Sequence, residues 1–402
     1  VQKIKNRFSQ LLQLHWLWAL LVFLLMMAVY VRTLLPGPVG GDAGELQYAG
    51  PILALTHPTG VPVYIFVSHL WSKLVPLGSV AYRMNLLAAV SGALACAVTT
   101  WMLMRLYGRW VVALAGGLTL GLGATFWGQA VIADKYAFNT LWVALVVGLA
   151  LVWYQERDKP HGNKLLYALS LTYGISLLHH RTMLLFAFGF AFMMVLTEGR
   201  ELWRQRRRTL ICLTLVLLPP LLVYPIFLPV MRARELSPSE WQPQTAGQWI
   251  EWLLDRQEAK EAFVTEGIDN QLEYYWDTLL NDYTLVVAGI ALIGVLFWGW
   301  RQLPVAGFVL ISFVLQGGLA ANWRDNDTLF TYFLPSFILL VYAYGHGLNR
   351  LWDMADRTIQ RLTAHPERVQ LVFASAVAVL LLALPLYQFE HTYDLRRMES
   401  NR

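Results

Sequence analysis

Apolar residues run through this chain in blocks of about 20, broken by short polar stretches. That is the length a helix needs to cross a hydrocarbon core of roughly 30 Å. The pattern predicts about eleven helices, at 15–35, 81–104, 110–126, 137–154, 165–178, 182–197, 209–230, 284–300, 303–321, 329–348 and 369–387. The seventh holds Pro219, Pro220, Pro225 and Pro229, which a membrane helix tolerates when neighbours satisfy the freed carbonyls. No internal repeat or low-complexity tract interrupts the series, so the expectation is an all-α integral membrane protein, one polytopic domain over 1–402. The first two spans are joined by a long loop, 36–80. Its apolar stretch 63–75 is too short to cross, is interrupted by His69 and Lys73, and reads as a helix lying in the interface. A second long loop, 232–283, is acidic and reads as helical around 247–263, where Trp249, Trp252 and Leu253 share a face.

Composition supports the membrane class. Hydrophobic residues make up 57% and charged residues 14%, with a mean hydropathy of +0.46. A soluble domain carries about 25% charged residues. The 17 Trp and 18 Tyr suit two interfacial belts. A net charge of +5 is small for this length and gives no reason to expect nucleic acid.

The basic residues instead alternate between loops. Lys3, Lys5 and Arg7, then Arg105 and Arg109, Arg157, Lys159 and Lys164, Arg200 with Arg204 to Arg208, Arg301, and Arg350 to Arg368 mark one side. The positive-inside rule makes that side, and the N-terminus, cytoplasmic. Loops 36–80, 128–136, 179–181, 232–283 and 322–328 then face outward, and an odd span count puts the C-terminus outside as well. Cys96 and Cys212 both fall in apolar runs, which argues against a disulfide framework. No small-residue cleavage site follows the first run, so it reads as a retained span. The chain begins with Val1 rather than Met, which leaves its true N-terminus an open question.

Candidate chemistry gathers on the outward side. Asp42 and Glu45 lie within four residues in Gly40-Gly41-Asp42-Ala43-Gly44-Glu45, read as a glycine-rich turn at the outer end of the first span. A carboxylate held there can take a proton from an incoming hydroxyl, and a plain acidic loop is the competing reading. His57, in His57-Pro58-Thr59-Gly60-Val61-Pro62, can bind a phosphate oxygen or orient a carboxylate, or be a simple loop histidine. Asp134 with Lys135, His179-His180-Arg181, and Arg324-Asp325-Asn326-Asp327 follow on the same side. Each group alone is weak; their shared side is what suggests one pocket, with arginine suited to phosphate. The run Arg204 to Arg208 is on the other face, where it sets topology and meets anionic lipid. No metal is expected: HExxH, P-loop and GxSxG are absent, and Asp325 with Asp327 fits a salt bridge or helix cap better than a cation site.

Several motifs, in order, resemble one membrane family. They are Asp42-Ala43-Gly44-Glu45, His57-Pro58 with Gly60 and Pro62, and Val80-Ala81-Tyr82-Arg83-Met84-Asn85-Leu86-Leu87. Thr125-Phe126-Trp127-Gly128-Gln129-Ala130 leading to Tyr136-Ala137-Phe138-Asn139, Gly174-Ile175-Ser176-Leu177 leading to His180 and Thr182, and the helix around 245–255 extend the match. The family is the protein O-mannosyltransferase-like group, formerly a domain of unknown function shared by bacteria and eukaryotes. It is similar to the GT-C glycosyltransferases. The resemblance is strongest over about the first 185 residues.

That resemblance implies a GT-C fold and an inverting transferase moving a sugar from a polyprenyl-phosphate donor to an acceptor hydroxyl at the non-cytoplasmic face. The acceptor is a protein, lipid or glycan, the setting a prokaryotic plasma membrane, and no cofactor is implied beyond the lipid-linked donor. Asp42 matches the base, Glu45 the second acid and His57 the following His-Pro histidine. His57, His180, Arg181 and Arg324 are the expected donor-phosphate ligands, with Asp134, Lys135 and Tyr136 in the pocket. Lys135 and Arg181 depart from the family's pattern. Two other classes compete: a transporter or flippase of lipid-linked sugars, disfavoured by the scarcity of ionisable residues near span centres, and a non-catalytic membrane scaffold.

Overall fold

The computed structural model describes residues 14–58, 60–234, 268–321, 329–363 and 366–400, with isolated positions between 236 and 251. Each of the eleven apolar segments lies on a helix, and no strand forms among the described residues. The chain begins with α1 (His15–Arg32), α2 (Gly41–Ile52), α3 (Pro62–Leu74), α4 (Val80–Tyr107), α5 (Trp110–Leu122), α6 (Ala124–Ala130) and α7 (Lys135–Glu156). It continues with α8 (Gly162–Ser176), α9 (Phe186–Glu198), α10 (Glu201–Arg204), α11 (Arg206–Ala233), α12 (Ile268–Arg301), α13 (Leu303–Ala321), α14 (Leu334–Leu362) and α15 (Pro366–Ser400). Short 3-10 turns, Arg181–Leu185 and Leu329–Phe333, lead into α9 and α14.

Among the described residues, eight helices are long and apolar enough to cross a membrane, or nine if the pair α5 and α6 counts as one span. The remaining differences from eleven have local causes. α8 is only 15 residues long. α14 is buried from Leu334 to Asn349, then turns polar from Arg350 onward. α5 and α6 meet at Gly123 with a bend of 69°. There the Asp282 carboxylate of α12 accepts the Thr125 N–H at 3.1 Å, satisfying a donor that the new helix start leaves open.

The centre of the bundle is α4 packed between α1, α5 and α7, with α14 closing over α5 and α7. Lipid offers no hydrophobic drive between helices, so close packing of small residues carries the association. A Cβ at Gly92 would lie 2.8 Å from the Ala130 methyl, and one at Gly117 would collide with Thr100. By contrast α11, with its four prolines, keeps none of its most apolar stretch buried and forms an outer wall against α8.

Both long loops depart from their sequence reading. The acidic motif is not a turn: α2 begins at Gly41, and Asp42 sits in its first turn. The stretch read as an interfacial helix is indeed helical, as α3, with Pro62 at its start. The later loop contains structure: residues 268–283 already belong to α12, because Tyr275, Leu279 and Tyr283 recur every fourth position and are buried, with Tyr275 packed on Phe333 and Tyr283 on Phe337. The expected span start at 284 coincides with a break at Thr284, whose φ is 62°. Of the helix read around 247–263, only 247–249 and 251 are described, and they are helical. Trp252 and Leu253 lie outside the described residues.

A buried amide fixes how the exit of α1, α2 and the approach to α7 meet. Asn85, fully buried in α4, accepts from the Gln47 amide of α2 at 2.8 Å and from the Ala133 N–H at 2.9 Å. Its own NH2 donates to the Leu35 carbonyl at 2.7 Å. Gln47 in turn accepts the Val39 N–H at 3.1 Å. Two residues away, Arg83 donates to the Ser72 carbonyl at 2.6 Å, closing the end of α3. On the far side of α7, His179 Nε2 donates to the Lys135 carbonyl at 3.0 Å, with its ring between Tyr64 and Phe138. Burial, reinforced by the Lys135 charge, lowers the His179 pKa to about 3.

Replacing Asn85 with leucine strands these partners, and each unsatisfied buried group costs roughly 1–3 kcal/mol. The expected outcome is a destabilisation of about 2–4 kcal/mol, read as a lower unfolding temperature of the purified protein in detergent. A second expectation concerns acid. The unfolded chain takes up the His179 proton first, so this residue's contribution is complete above about pH 6.5 and is lost as pH falls toward about 3. His179→Asn keeps a donor without the titration, so its unfolding temperature should drop less than wild type between pH 7 and pH 4.

Candidate functional site

The first turns of α2 and α7 meet the turn that carries His57. Gly41 takes a φ of 62°, a left-handed value that suits glycine, and starts α2. Gly44 lies against the Val39 carbonyl, where a Cβ would clash. The helix start favours a carboxylate, and Asp42 stands there with its side chain 47% exposed. One turn further on, Glu45 accepts the His57 backbone N–H at 2.9 Å and pairs with His57 Nδ1. Leu53 (φ 55°) and Val61 (φ 33°) take left-handed backbone on either side of the His57 turn, strain that the surrounding packing must hold.

Lys135 reaches into this cluster from the start of α7. Its side chain is only 6% exposed, and its Nζ lies 2.5 Å from Asp42 Oδ2 and 3.1 Å from His57 Nε2. His57 Nε2 is 3.6 Å from the same Asp42 oxygen. Burial pulls the Asp42 carboxyl upward, but the Lys135 ammonium and His57 outweigh it and leave its pKa below the usual carboxylate value. Asp134 plays a different part, because its Oδ1 accepts the Lys135 N–H at 2.6 Å and caps α7. Burial raises its pKa, opposed by Lys135 and assisted by Asp42.

Of the other sequence-derived candidates, Tyr136 and His180 lie deeper. Lys135 Nζ sits 5.1 Å from the Tyr136 ring centroid, and that ring packs against His180 and Tyr332. His180 Nδ1 accepts the Thr182 N–H and contacts its hydroxyl at 2.8 Å. Its pKa is driven well down by burial and then by the charges of His179, Lys135, Arg181 and His57. His180 is thus a neutral ring, and Arg181 is the cation beside it. Arg324, Asp325 and Asp327 lie outside the described residues.

Asp42, Glu45 and His57 offer ligand atoms all within 4.8 Å of one another, close enough to share one metal ion. The Lys135 ammonium contacts both Asp42 Oδ2 and His57 Nε2, however, and Glu45 Oε2 is engaged by His57 Nδ1. The Lys135 ammonium therefore shares the space between Asp42 and His57 that an ion held by these three residues would enter.

Sequence reading puts Lys135 in a possible pocket without pairing it to Asp42; the two are 93 positions apart, and no local pattern joins them. Gln47 and Asn85 are missed as builders of the site. The available signal is an amide, Asn85, inside an otherwise apolar span.

Comparison with known proteins adds to this geometry. Residues 42–203 match the family model of the protein O-mannosyl-transferase TMEM260 N-terminal domain. The mouse protein O-mannosyl-transferase TMEM260 is 29% identical over 226 residues, 56% of this chain and 32% of that protein. The chain thus spans about a third of this relative's length. Among solved structures, ArnT from Cupriavidus metallidurans bound to undecaprenyl phosphate aligns over 95% of this chain and 76% of its own, with a TM-score of 0.61 at 14% identity. The archaeal oligosaccharyltransferase AglB from Archaeoglobus fulgidus, in complex with an inhibitory peptide and a dolichol-phosphate, aligns over 95% and 56%, with a TM-score of 0.53 at 13% identity. The resemblance read from the motifs is borne out: this multi-pass membrane chain is similar to the TMEM260 N-terminal domain over residues 42–203 and has the GT-C fold of ArnT and AglB.

Proposed function

We propose that the chain is an inverting glycosyltransferase that moves a sugar from a polyprenyl-phosphate donor to an acceptor hydroxyl at the non-cytoplasmic membrane face, with Asp42 as base. The observation that carries this reading is a half-exposed carboxylate, kept ionised by a buried lysine, at the head of α2 in a GT-C bundle. The undecaprenyl phosphate named with ArnT, and the dolichol-phosphate and peptide named with AglB, support a lipid-phosphate donor and a protein acceptor. The alternation of basic loops supports an outward site, and a prokaryotic plasma membrane setting is supported less directly, through the family resemblance alone.

The donor's tail stays in the bilayer, so its phosphate lies at the interface. Before it arrives, Lys135 neutralises Asp42. Phosphate oxygens draw the ammonium toward themselves, and Asp42 then regains the proton affinity of a working base. The acceptor oxygen attacks the anomeric carbon as its proton passes to an Asp42 oxygen. The bond from that carbon to the phosphate oxygen breaks, and its electron pair leaves with the polyprenyl phosphate. Lys135 and Arg181 offset the charge that develops there. Attack opposite the departing phosphate inverts the carbon. Glu45 acts through His57, holding Nδ1 so that Nε2 faces Asp42 and Lys135. Lys135 supplies the positive charge, so the reaction is expected to run without a metal cofactor.

The test is transfer of labelled sugar from polyprenyl-phosphate donors by the purified chain. Removing a general base typically costs about 10²–10⁴-fold, so Asp42→Asn should fall by that order; equal rates would remove Asp42 from the mechanism. The Lys135 coupling has its own signature in the acid limb of the kcat/KM profile. For wild type it lies below the usual carboxylate range, since the ammonium favours the ionised base. Lys135→Met leaves burial unopposed by that charge, so the limb should move to higher pH as the rate falls. A limb that stays in place would sever Lys135 from Asp42's ionisation.

A further inference from the structure

At the opposite end of the bundle from Asp42, α4, α7, α12, α13 and α14 line a polar cavity of about 250 Å³. Its walls carry Tyr107, Tyr154, Gln155, Gln302, Asn349 and Arg350, and Arg350 is the one formally charged residue among the described lining. His346 lines it as well. Trp298 stacks on the imidazole at 4.5 Å, Tyr107 OH meets Nδ1 at 3.1 Å, and Arg350 Nε donates to Nε2 at 3.4 Å. The Arg350 guanidinium reaches Asp353 only at 3.7 Å, whereas that carboxylate meets Arg109 at 2.8 Å. Arg350 thus lines the cavity while keeping this looser pairing with Asp353.

A second hollow lies about one helical turn from the first, along the same helices. An apolar groove of about 400 Å³ runs between α12, α13 and α14. On each helix the groove hands over to the cavity within about one turn: Val295 to Trp298, Val309 to Val305, and Ala343 to His346. Residues three or four apart share a helix face, so the two hollows line up along one track. The groove opens to the bilayer, since Leu285, Leu292 and Leu310 on its walls are exposed on helices that cross it. Gly289, on the same wall, faces open space where a side chain would project.

A compact polar chamber with a single cation, followed by an apolar channel, has the shape and polarity of one anionic lipid. We propose that this track holds an anionic phospholipid of the leaflet facing the arginine-rich loops, with its phosphate at Arg350 and one acyl chain along α12 and α13. Charge selects the occupant: Arg105, Arg109, Arg301 and Arg357 lie at the same end of the bundle, and a basic membrane face gathers anionic lipid. The proposal is independent of the transfer reaction, because the track lies at the far ends of α4 and α7 from Asp42 and Lys135.

The experiment is native mass spectrometry of the full chain released from mixed vesicles of phosphatidylglycerol and phosphatidylethanolamine. One retained phosphatidylglycerol per chain is expected, in at least tenfold preference over phosphatidylethanolamine. Arg350→Gln should abolish that preference, and Gly289→Phe, which adds bulk in open space, should reduce retention of the bound lipid. Sugar transfer by both variants should match wild type. Equal retention by wild type and Arg350→Gln would overturn the proposal. So would displacement of the lipid by inorganic phosphate at equal concentration, which makes the chamber a free-anion site. Preferential capture of polyprenyl phosphate from vesicles containing both lipids would also overturn it, since the occupant would then be of the donor class.

Discussion

The meeting of α1, α2 and α7 depends on one buried amide. A buried amide is costly unless every polar atom is met, and Asn85 meets its needs with backbone and side chain from three separate segments. The exit of α1, the body of α2 and the approach to α7 are thereby held at one point. Asp42 extends from the second of these and Lys135 from the third, so their 2.5 Å contact is a result of that clamp as much as of their own attraction. His179 fastens the same stretch of α7 from behind through the Lys135 carbonyl.

The charge balance within the cluster follows from this geometry. Asp42, Glu45 and Asp134 crowd around one ammonium and one imidazole, and each acid is occupied differently. Asp134 serves the helix start, Glu45 orients the histidine, and Asp42 alone among the three is both paired to Lys135 through its side chain at 2.5 Å and half open to water. Burial raises both carboxyls, and more strongly that of Asp134, which is 8% exposed against 47% for Asp42. Lys135 and His57 overcome it at Asp42 and do not at Asp134, where the Asp42 charge adds to burial.

Much of the architecture was legible along the chain because bilayer thickness imposes a length that apolar runs must match. The eleven helical segments, the short helix α3 and the acidic motif beside α1 could be read from that constraint and from residue type. What escaped is of two kinds. Local backbone choices, such as the helical start at Gly41 and the early onset of α12 at Ile268, turn on contacts with partners distant in sequence, so glycine and acidic content misled. Pairings such as Asp42 with Lys135, or Asp282 with the start of α6, join helices separated by long stretches of chain. No periodicity encodes them. The Val80 to Leu87 motif shows the limit well: its sequence was distinctive, but only its contacts reveal Arg83 and Asn85 as clamps.

The 93-residue separation between Asp42 and Lys135 also orders the protein's biogenesis. Chains are synthesised from the N-terminus, and α1 to α6 leave the ribosome before the lysine does. During that interval the aspartate has no ammonium to hold and Asn85 lacks its Ala133 partner. The site is therefore a late product of assembly, completed when α7 docks, and a nascent chain stalled before that point carries the acidic motif without its counter-ion.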